Sequence, residues 1–467
     1  MTCLNHASLA ASLAALTVAA DAAAASKPKS PAGKRPAVIV IMTDQQTAGA
    51  MSCAGNPWVR TPAMDALAAD GVRFTRAYCP YPLSGPCRAA LVTGRMPFEV
   101  GAFDNAIRPA DADMQAGIGH RLAEAGYECL YAGKWHVPEV NLPDSGTGFR
   151  RISKMNDPAL ADACDAALKE YDGQKPLFLV ASLLNPHEIC EYGRHETLQY
   201  GELAPFSTEE CPNLPANFMP STYAAEALTL EHASSPRYHD TYTYTQDDWR
   251  RYLYAYYRLV ERADREVGRI VGVLKAHGLY DDAAIVFLSD HGDGAAAHGW
   301  NQKWNLQEEV INVPLIVKPP KGAGLRGVRN DEALSNVGLD LYATVCDYAG
   351  VTPDPGRYRG RSLRPVAEGR QATLHDEVFV ETLLPGLGMR GWSVVGPRYK
   401  YVLYQWGRNR EALYDLQDDP GEMVNLAVDR RYEAELNRLR RAMYDWGVRI
   451  GDPKLVRNLR PFAETRN

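Results

Sequence analysis

The chain has 467 residues, 46% of them hydrophobic and 23% charged, with a formal net charge of −6. That length exceeds one minimal domain and allows a large buried core, and the composition is that of a globular enzyme. The negative balance and the lack of a basic stripe argue against a nucleic-acid partner, so an anionic ligand has to be met by a local positive site.

Residues 1–25 are expected to be a signal peptide, because Ala7 to Ala25 form an Ala/Leu-rich run ending in Ala23-Ala24-Ala25 before Ser26. The leader carries His6 but no Lys or Arg. Asp21 and the scarcity of large apolar side chains oppose a stable membrane span. A cleaved leader implies a periplasmic or secreted protein. Beyond Cys3, the cysteines at 53, 79, 87, 129, 164, 190, 211 and 346 show no C-x-x-C pair, which speaks against structural zinc. Disulfides and free thiols both remain open for them.

After a Pro-rich link, Ala37 to Met42 is an unbroken apolar run, the mark of a strand buried on both faces of a parallel sheet. Thr61-Pro62 and Gly71 bracket a short helix. Further buried strands are expected at Leu177–Leu184, Ala284–Leu288 and Val313–Val317, with a long amphipathic helix from Asp247 to Gly278. Strands alternating with helices imply an α/β catalytic domain, 37–365, built on a large, mainly parallel sheet sandwiched by helices. Ile189 to Gln246 has no sustained period and reads as an irregular insertion at a substrate rim. Past Pro365, short strands at Val378–Glu381, Trp392–Val395 and Lys400–Tyr404 and a helical tail from Arg430 to Val448 suggest a smaller antiparallel α+β subdomain, 366–467.

Two buried strands run directly into polar edges, Thr43-Asp44-Gln45-Gln46 and Ser289-Asp290-His291-Gly292-Asp293. The carboxyl ends of strands form the ligand crevice in open α/β sheets, and this donor set suits a divalent cation. A strand ending in Asp is also an ordinary turn signal. Ser84, held between Leu83 and Gly85-Pro86, precedes Arg88 by four residues at an expected helix start, where backbone amides favour an anion.

Ser84-x-Pro86-x-Arg88 followed by Ala89-x-Leu91-x-Thr93-Gly94-Arg95 resembles the signature of the type I, formylglycine-dependent sulfatases of the alkaline phosphatase-like superfamily. The resemblance continues in order through Gly133-Lys134-Trp135-His136, Asn185-Pro186-His187, Ser289-Asp290-His291-Gly292, His298 and Lys303. It ends with Leu413-Tyr414-Asp415-Leu416, Asp419-Pro420-Gly421-Glu422 and Asn425-Leu426. It implies a sulfuric ester hydrolase in which Ser84 is oxidised to formylglycine by a radical-type maturase. It also implies that Asp44, Gln45, residue 84, Asp290 and His291 surround calcium. Arg88, Lys134 and Lys303 would neutralise sulfate, His136 would contact the residue 84 hydroxyl, and His187 would protonate the leaving oxygen of a sulfated saccharide.

Three departures from the family's commoner pattern stand out. Ser84 and Cys87 look exchanged, Gln45 replaces a frequent Asp, and His291 replaces a frequent Asn. The last two make the metal site less acidic and softer, so that manganese or another divalent ion becomes an alternative to calcium. The same set resembles superfamily members that cleave phosphonate monoesters and phosphodiesters, which is one competing reading. A chain with an intact Ser84 that only binds sulfated glycans is another.

Overall fold

The computed structural model describes residues 35–137, 146–235, 238–354 and 356–463. The expected leader lies outside them. The described strands are β1 Val38–Asp44, β2 Val72–Phe74, β3 Ala77–Tyr78, β4 Glu128–Gly133, β5 Arg150–Ser153, β6 Leu177–Pro186 and β7 Ala284–Ser289. They continue with β8 Leu315–Lys318, β9 Val328–Asn330, β10 Ser335–Asn336, β11 Val378–Leu384, β12 Met389–Val395, β13 Tyr399–Tyr404 and β14 Glu411–Asp415.

Eight strands form the main sheet in the order β5-β4-β6-β1-β7-β8-β2-β9. β1 lies between β6 and β7, parallel to both, and every residue of these three strands is buried. Continuous apolar sequence is what such doubly covered strands require. β8 runs antiparallel to both β7 and β2, so the sheet is mixed at one side. One face carries the helices Pro62–Ala69 and Asp157–Glu170 and the long helix Gln246–Ala276, which buries Ala263, Val267, Ile270 and Leu274 on one stripe. The other face carries the helices Ser84–Thr93 and Val337–Ala349.

A second sheet, β11-β12-β13-β14, is wholly antiparallel and packs against the helix Glu433–Ile450 through Trp392, Tyr401, Leu439 and Met443. The segment expected to be irregular contains the helices Ile189–Gly193 and Glu226–Ser234. The tail also has a second helix, Pro453–Ala463, which the sequence pattern had not singled out. All eight described cysteines are free thiols. No described helix is long and apolar enough to cross a membrane.

Candidate active site

The parallel register brings four strand ends together. Thr43 stands opposite Ser289, Asp44 opposite Pro186, and Gly133 opposite Ser182. Asp44, Asp290, His187 and Lys134 therefore leave the sheet along one carboxyl edge, the usual ligand crevice of such sheets. The turn after β4 needs Gly133: its φ is +90°, and a Cβ there would lie 2.0 Å from the Ser182 carbonyl oxygen. That glycine lets the Lys134 amide donate to Ser182 O at 2.9 Å and sends the lysine side chain into the crevice. Gln45 and His136, the residues that turn the chain past the edge, hold left-handed φ values of +67° and +50°. Such a conformation costs a non-glycine residue about 1–2 kcal/mol, which the surrounding contacts must offset.

Ser84 opens the helix Ser84–Thr93 and is fully buried. Its Oγ lies 2.9 Å from His291 Nε2 and 3.3 Å from Asp44 Oδ1. His291 Nδ1 is 2.9 Å from the Gly292 carbonyl oxygen, so Nδ1 carries the proton and Nε2 presents its lone pair to Ser84. Burial, helped by Lys303, lowers the His291 pKa to about 3 and keeps the ring neutral. Asp44, Asp290 and His291 each offer a ligand atom within 4.8 Å of the others. Two carboxylates, a hydroxyl and a bare imidazole nitrogen converging on one point fit a divalent cation.

Arg88 ties this cluster together. It donates from Nε to Asp290 Oδ2 at 2.8 Å, from Nη2 to Asp44 Oδ2 at 2.9 Å, and from Nη1 to Lys134 O and Ser182 Oγ at 2.7 and 2.8 Å. Lys134 Nζ sits 2.7 Å from Asp44 Oδ2. Burial works against an ionised Asp44, but Lys134, His187 and Arg88 outweigh it and hold this carboxyl well below its ordinary range. Asp290 goes the other way, to about 6, because of burial and the neighbouring Asp44. A bound cation would favour both ionised forms.

Both ends of the Gln45 side-chain amide are engaged. Oε1 accepts from Lys303 Nζ at 2.7 Å, while Nε2 donates to Asp293 Oδ2 at 2.7 Å. Asp293 is fixed in turn by the Tyr252 hydroxyl at 3.0 Å and by the Ala295 and Gln302 amides. No local pattern marks this clamp, because Gln45, Tyr252 and Asp293 lie far apart in the chain and Tyr252 falls simply within the expected long helix.

His136 and His187 line a cavity of about 910 Å³ beside Lys134. Burial and the adjacent lysines lower the His136 pKa to about 3 and put that of His187 well below its ordinary value, so both rings are neutral. The Nδ1 atom of each has no hydrogen-bond partner in the described structure. Cys87 is buried with its thiol on the Asp290 carbonyl oxygen at 2.8 Å, and burial pushes its pKa well above the free value. It packs in the first turn of the helix that Ser84 opens. His298 is not brought into the crevice but groups with Glu309 and Glu422.

The sulfatase family profile matches residues 36–351, and the profile of the N-sulphoglucosamine sulphohydrolase C-terminal region matches residues 296–448. A Delta 4,5-hexuronate-2-O-sulfatase of Bacteroides thetaiotaomicron is 29% identical, with 93% of each chain covered. The solved structure of a 2-O GAG sulfatase superposes with a TM-score of 0.78 at 27% identity, covering 90% of this chain and 93% of that one. A phosphonate monoester hydrolase from Silicibacter pomeroyi shares the fold with a TM-score of 0.70 at 21% identity, covering 90% and 96%. The fold is thus the alkaline phosphatase-like one, and on the profile match the chain belongs to the sulfatase family and is a sulfuric ester hydrolase.

Proposed function

We propose that this sulfatase removes sulfate from a sulfated saccharide, using a nucleophile made from Ser84 and a divalent cation held by Asp44, Gln45, Asp290 and His291. The observation that carries the reading is the seat of Ser84, a buried hydroxyl at a helix start within 3.3 Å of Asp44 and 2.9 Å of His291. The names of the hexuronate and GAG sulfatases support a saccharide substrate. Oxidised to formylglycine by a radical-type maturase, residue 84 would supply a hydrated aldehyde oxygen for attack on sulfur. Calcium, or manganese in this softer donor set, would supply positive charge to the sulfate oxygens.

The remaining roles follow from the chain's own groups. Arg88 has a committed donor on each guanidinium nitrogen, so its task is to hold Asp44 and Asp290 in register and balance their charge. Lys134 and Lys303 each have one short contact and further ammonium hydrogens for sulfate oxygens. His136 is the base for residue 84. His187 protonates the leaving oxygen, and the negative charge of bound sulfate raises its affinity for that proton; such general-acid help contributes about 10²–10⁴-fold. The catalytic domain over 37–365, the subdomain over 366–467, and export after cleavage of residues 1–25 complete the reading.

The test is direct. Protein coexpressed with a radical-type maturase should carry a residue 84 peptide lighter by the two hydrogens lost on oxidation. It should release sulfate from a sulfated disaccharide far faster than phosphate from an aryl phosphonate. Comparable or reversed rates would turn the reading toward the phosphonate hydrolases. An intact serine with saccharide binding and no turnover would leave a binding protein.

A further inference from the structure

The loop between β7 and Lys303 turns through left-handed residues. Ala295, Ala296, His298 and Gly299 have φ values of +45°, +65°, +55° and +66°. Glycine or asparagine suits such positions, so an imidazole is retained at 298 at a cost in backbone strain. The turn brings His298 to Glu309, of the helix Glu308–Ile311, and to Glu422, of the polar turn Asp419–Glu422 that follows β14. One donor atom from each lies within 4.8 Å of the other two. Asn217 stitches the three segments together. Its carbonyl accepts from the His298 amide at 2.6 Å, and its Nδ2 donates to Glu309 Oε1 at 2.8 Å and to Gly421 O at 3.3 Å.

Donor atoms are left over inside this seam. His298 is only 8% exposed, yet neither ring nitrogen makes a well-formed hydrogen bond in the described structure, and Glu309 Oε2 is buried without one. Buried polar atoms left in this way cost stability unless another group stands between them. The Met219 backbone carbonyl stands close enough to favour a proton on the ring. In metal-binding histidines one nitrogen commonly turns to such a carbonyl while the other is bare for the ion. The charge is unbalanced as well. Glu308, Glu309 and Glu422 together have one ion-pair partner among the described residues, the Lys400 ammonium, 3.0 Å from Glu308 Oε1 and 2.6 Å from Glu422 Oε1. Two negative charges in excess are what one divalent cation would cancel.

We propose that His298, Glu309 and Glu422 bind a zinc ion that fastens the Lys303 loop to the turn after β14, apart from the cation proposed at Asp44, Gln45, Asp290 and His291. One imidazole with two carboxylates suits zinc, whereas calcium is served by oxygens. Three protein donors leave a fourth tetrahedral position, and Glu309, only partly buried, gives water a way to it. Lys400 remains on Glu422, since a carboxylate has lone pairs for both. The ion would restrain segments that present catalytic groups. His298 precedes Lys303 by five residues, and a Cβ on Gly292, next to His291, would lie 2.0 Å from Glu309 O. The site shares no residue with the proposed catalytic set, so the inference stands or falls apart from desulfation.

The experiment strips the full chain with a chelator, refills it with saturating calcium, and titrates it with zinc by calorimetry. The same titration is run on Asp290→Asn, which weakens the other site. Both chains should bind one zinc here, and zinc should raise the melting midpoint, as a ligand of the folded state does. X-ray absorption of the zinc-loaded parent should show one imidazole nitrogen among oxygen neighbours. His298→Asn suits the left-handed turn but supplies no imidazole, and Glu309→Gln keeps the side-chain shape. Each should weaken zinc by at least about 100-fold, since even an outer-shell partner of a metal contributes about 10–100-fold, and calcium binding should stay as in the parent. The His298→Asn chain should melt no lower than the zinc-free parent, which separates loss of the ion from loss of the fold. A calcium-loaded parent that takes up no zinc would overturn the inference. So would a folded Asp290→Asn chain that has lost zinc, or either of the other variants binding it as tightly as the parent.

Discussion

The guanidinium of Arg88 spans Asp44 and Asp290, two buried carboxylates that would also hold the proposed cation, so arginine and metal would share the work of neutralising them. Removing one partner of a buried ion pair costs about 3–5 kcal/mol, because the stranded charge cannot reach water. Arg88→Met should lower stability by about that much when the protein is stripped of divalent ions. Saturating calcium should recover part of the loss, since a ligand that binds only the folded state stabilises it by mass action. Urea denaturation with and without calcium reads both effects; equal losses in the two conditions would separate Arg88 from the metal site. Lys303 acts differently, through Gln45 Oε1 and through the charge it presents to His187. Lys303→Met should lower kcat by about 10²–10³-fold, as loss of a preorganised charge donor does. Because burial and then Lys303 depress the His187 pKa, the substitution should also move that ionisation up toward neutrality. A pH–rate profile that keeps its shape would remove Lys303 from the site's electrostatics.

At the scale of elements, the polar turn Asp419–Glu422 is fastened to the second sheet by one lysine. Lys400 Nζ of β13 is fully buried, 2.6 Å from Glu422 Oε1 and 3.0 Å from Glu308 Oε1. Burial pushes the Glu422 pKa up to about 7 against the pull of Lys400. A carboxyl whose folded pKa lies above its unfolded value stabilises the fold while protonated. Its contribution is complete below about 4.5 and is lost as pH rises through about 7. Lys400→Met removes the compensating cation, so the destabilisation should be about 3–5 kcal/mol at pH 8 and distinctly smaller at pH 5, where Glu422 takes up a proton. Chemical denaturation at the two pH values decides it, and an equal loss at both would mean that Glu422 is not the group responsible.

Elements of this kind divide into those the sequence exposes and those it hides. β1, β6 and β7 were expected within a residue or two, because burial on both faces writes an uninterrupted apolar run. β2, β5 and β9 are three or four residues long, too short to show any period. β14 is concealed inside a motif that reads as a signature rather than a strand. The helix Glu226–Ser234 lacks a clear apolar stripe and escaped notice within the insertion. The candidate site behaves likewise. Asp44 and Asp290 stand at the ends of legible strands, whereas the clamp from Tyr252 through Asp293 to Gln45 joins residues that only the folded chain brings together. The register slip between β4 and β5, where Tyr131 stands opposite Arg151 but Ala132 opposite Ser153, is equally invisible, since its cause is pairing and not composition.

At the scale of the whole molecule, the two sheets do not own separate interiors. Val38, Val40 and Val286 of the main sheet belong to the same buried cluster as Val378, Val380, Met389 and Tyr404 of the second. Backbone bonds cross as well, the Glu381 amide donating to Pro80 O at 3.0 Å, only a few residues before Ser84. A domain that carries its own core can unfold alone; one that shares its core with a neighbour cannot do so without exposing the neighbour's apolar face to water. Calorimetry of the described chain should therefore show a single cooperative transition. A fragment ending at residue 365 should expose the apolar surface that β11–β13 now cover and should aggregate or fail to reach native helicity. Two resolved transitions, together with a soluble fragment that binds calcium as the parent does, would show that the catalytic sheet stands by itself. Under the shared core, substitutions at Val380 or Tyr404 should instead lower the one transition and metal affinity together, because the strand edges that present Asp44 and Asp290 melt with the sheet that backs them.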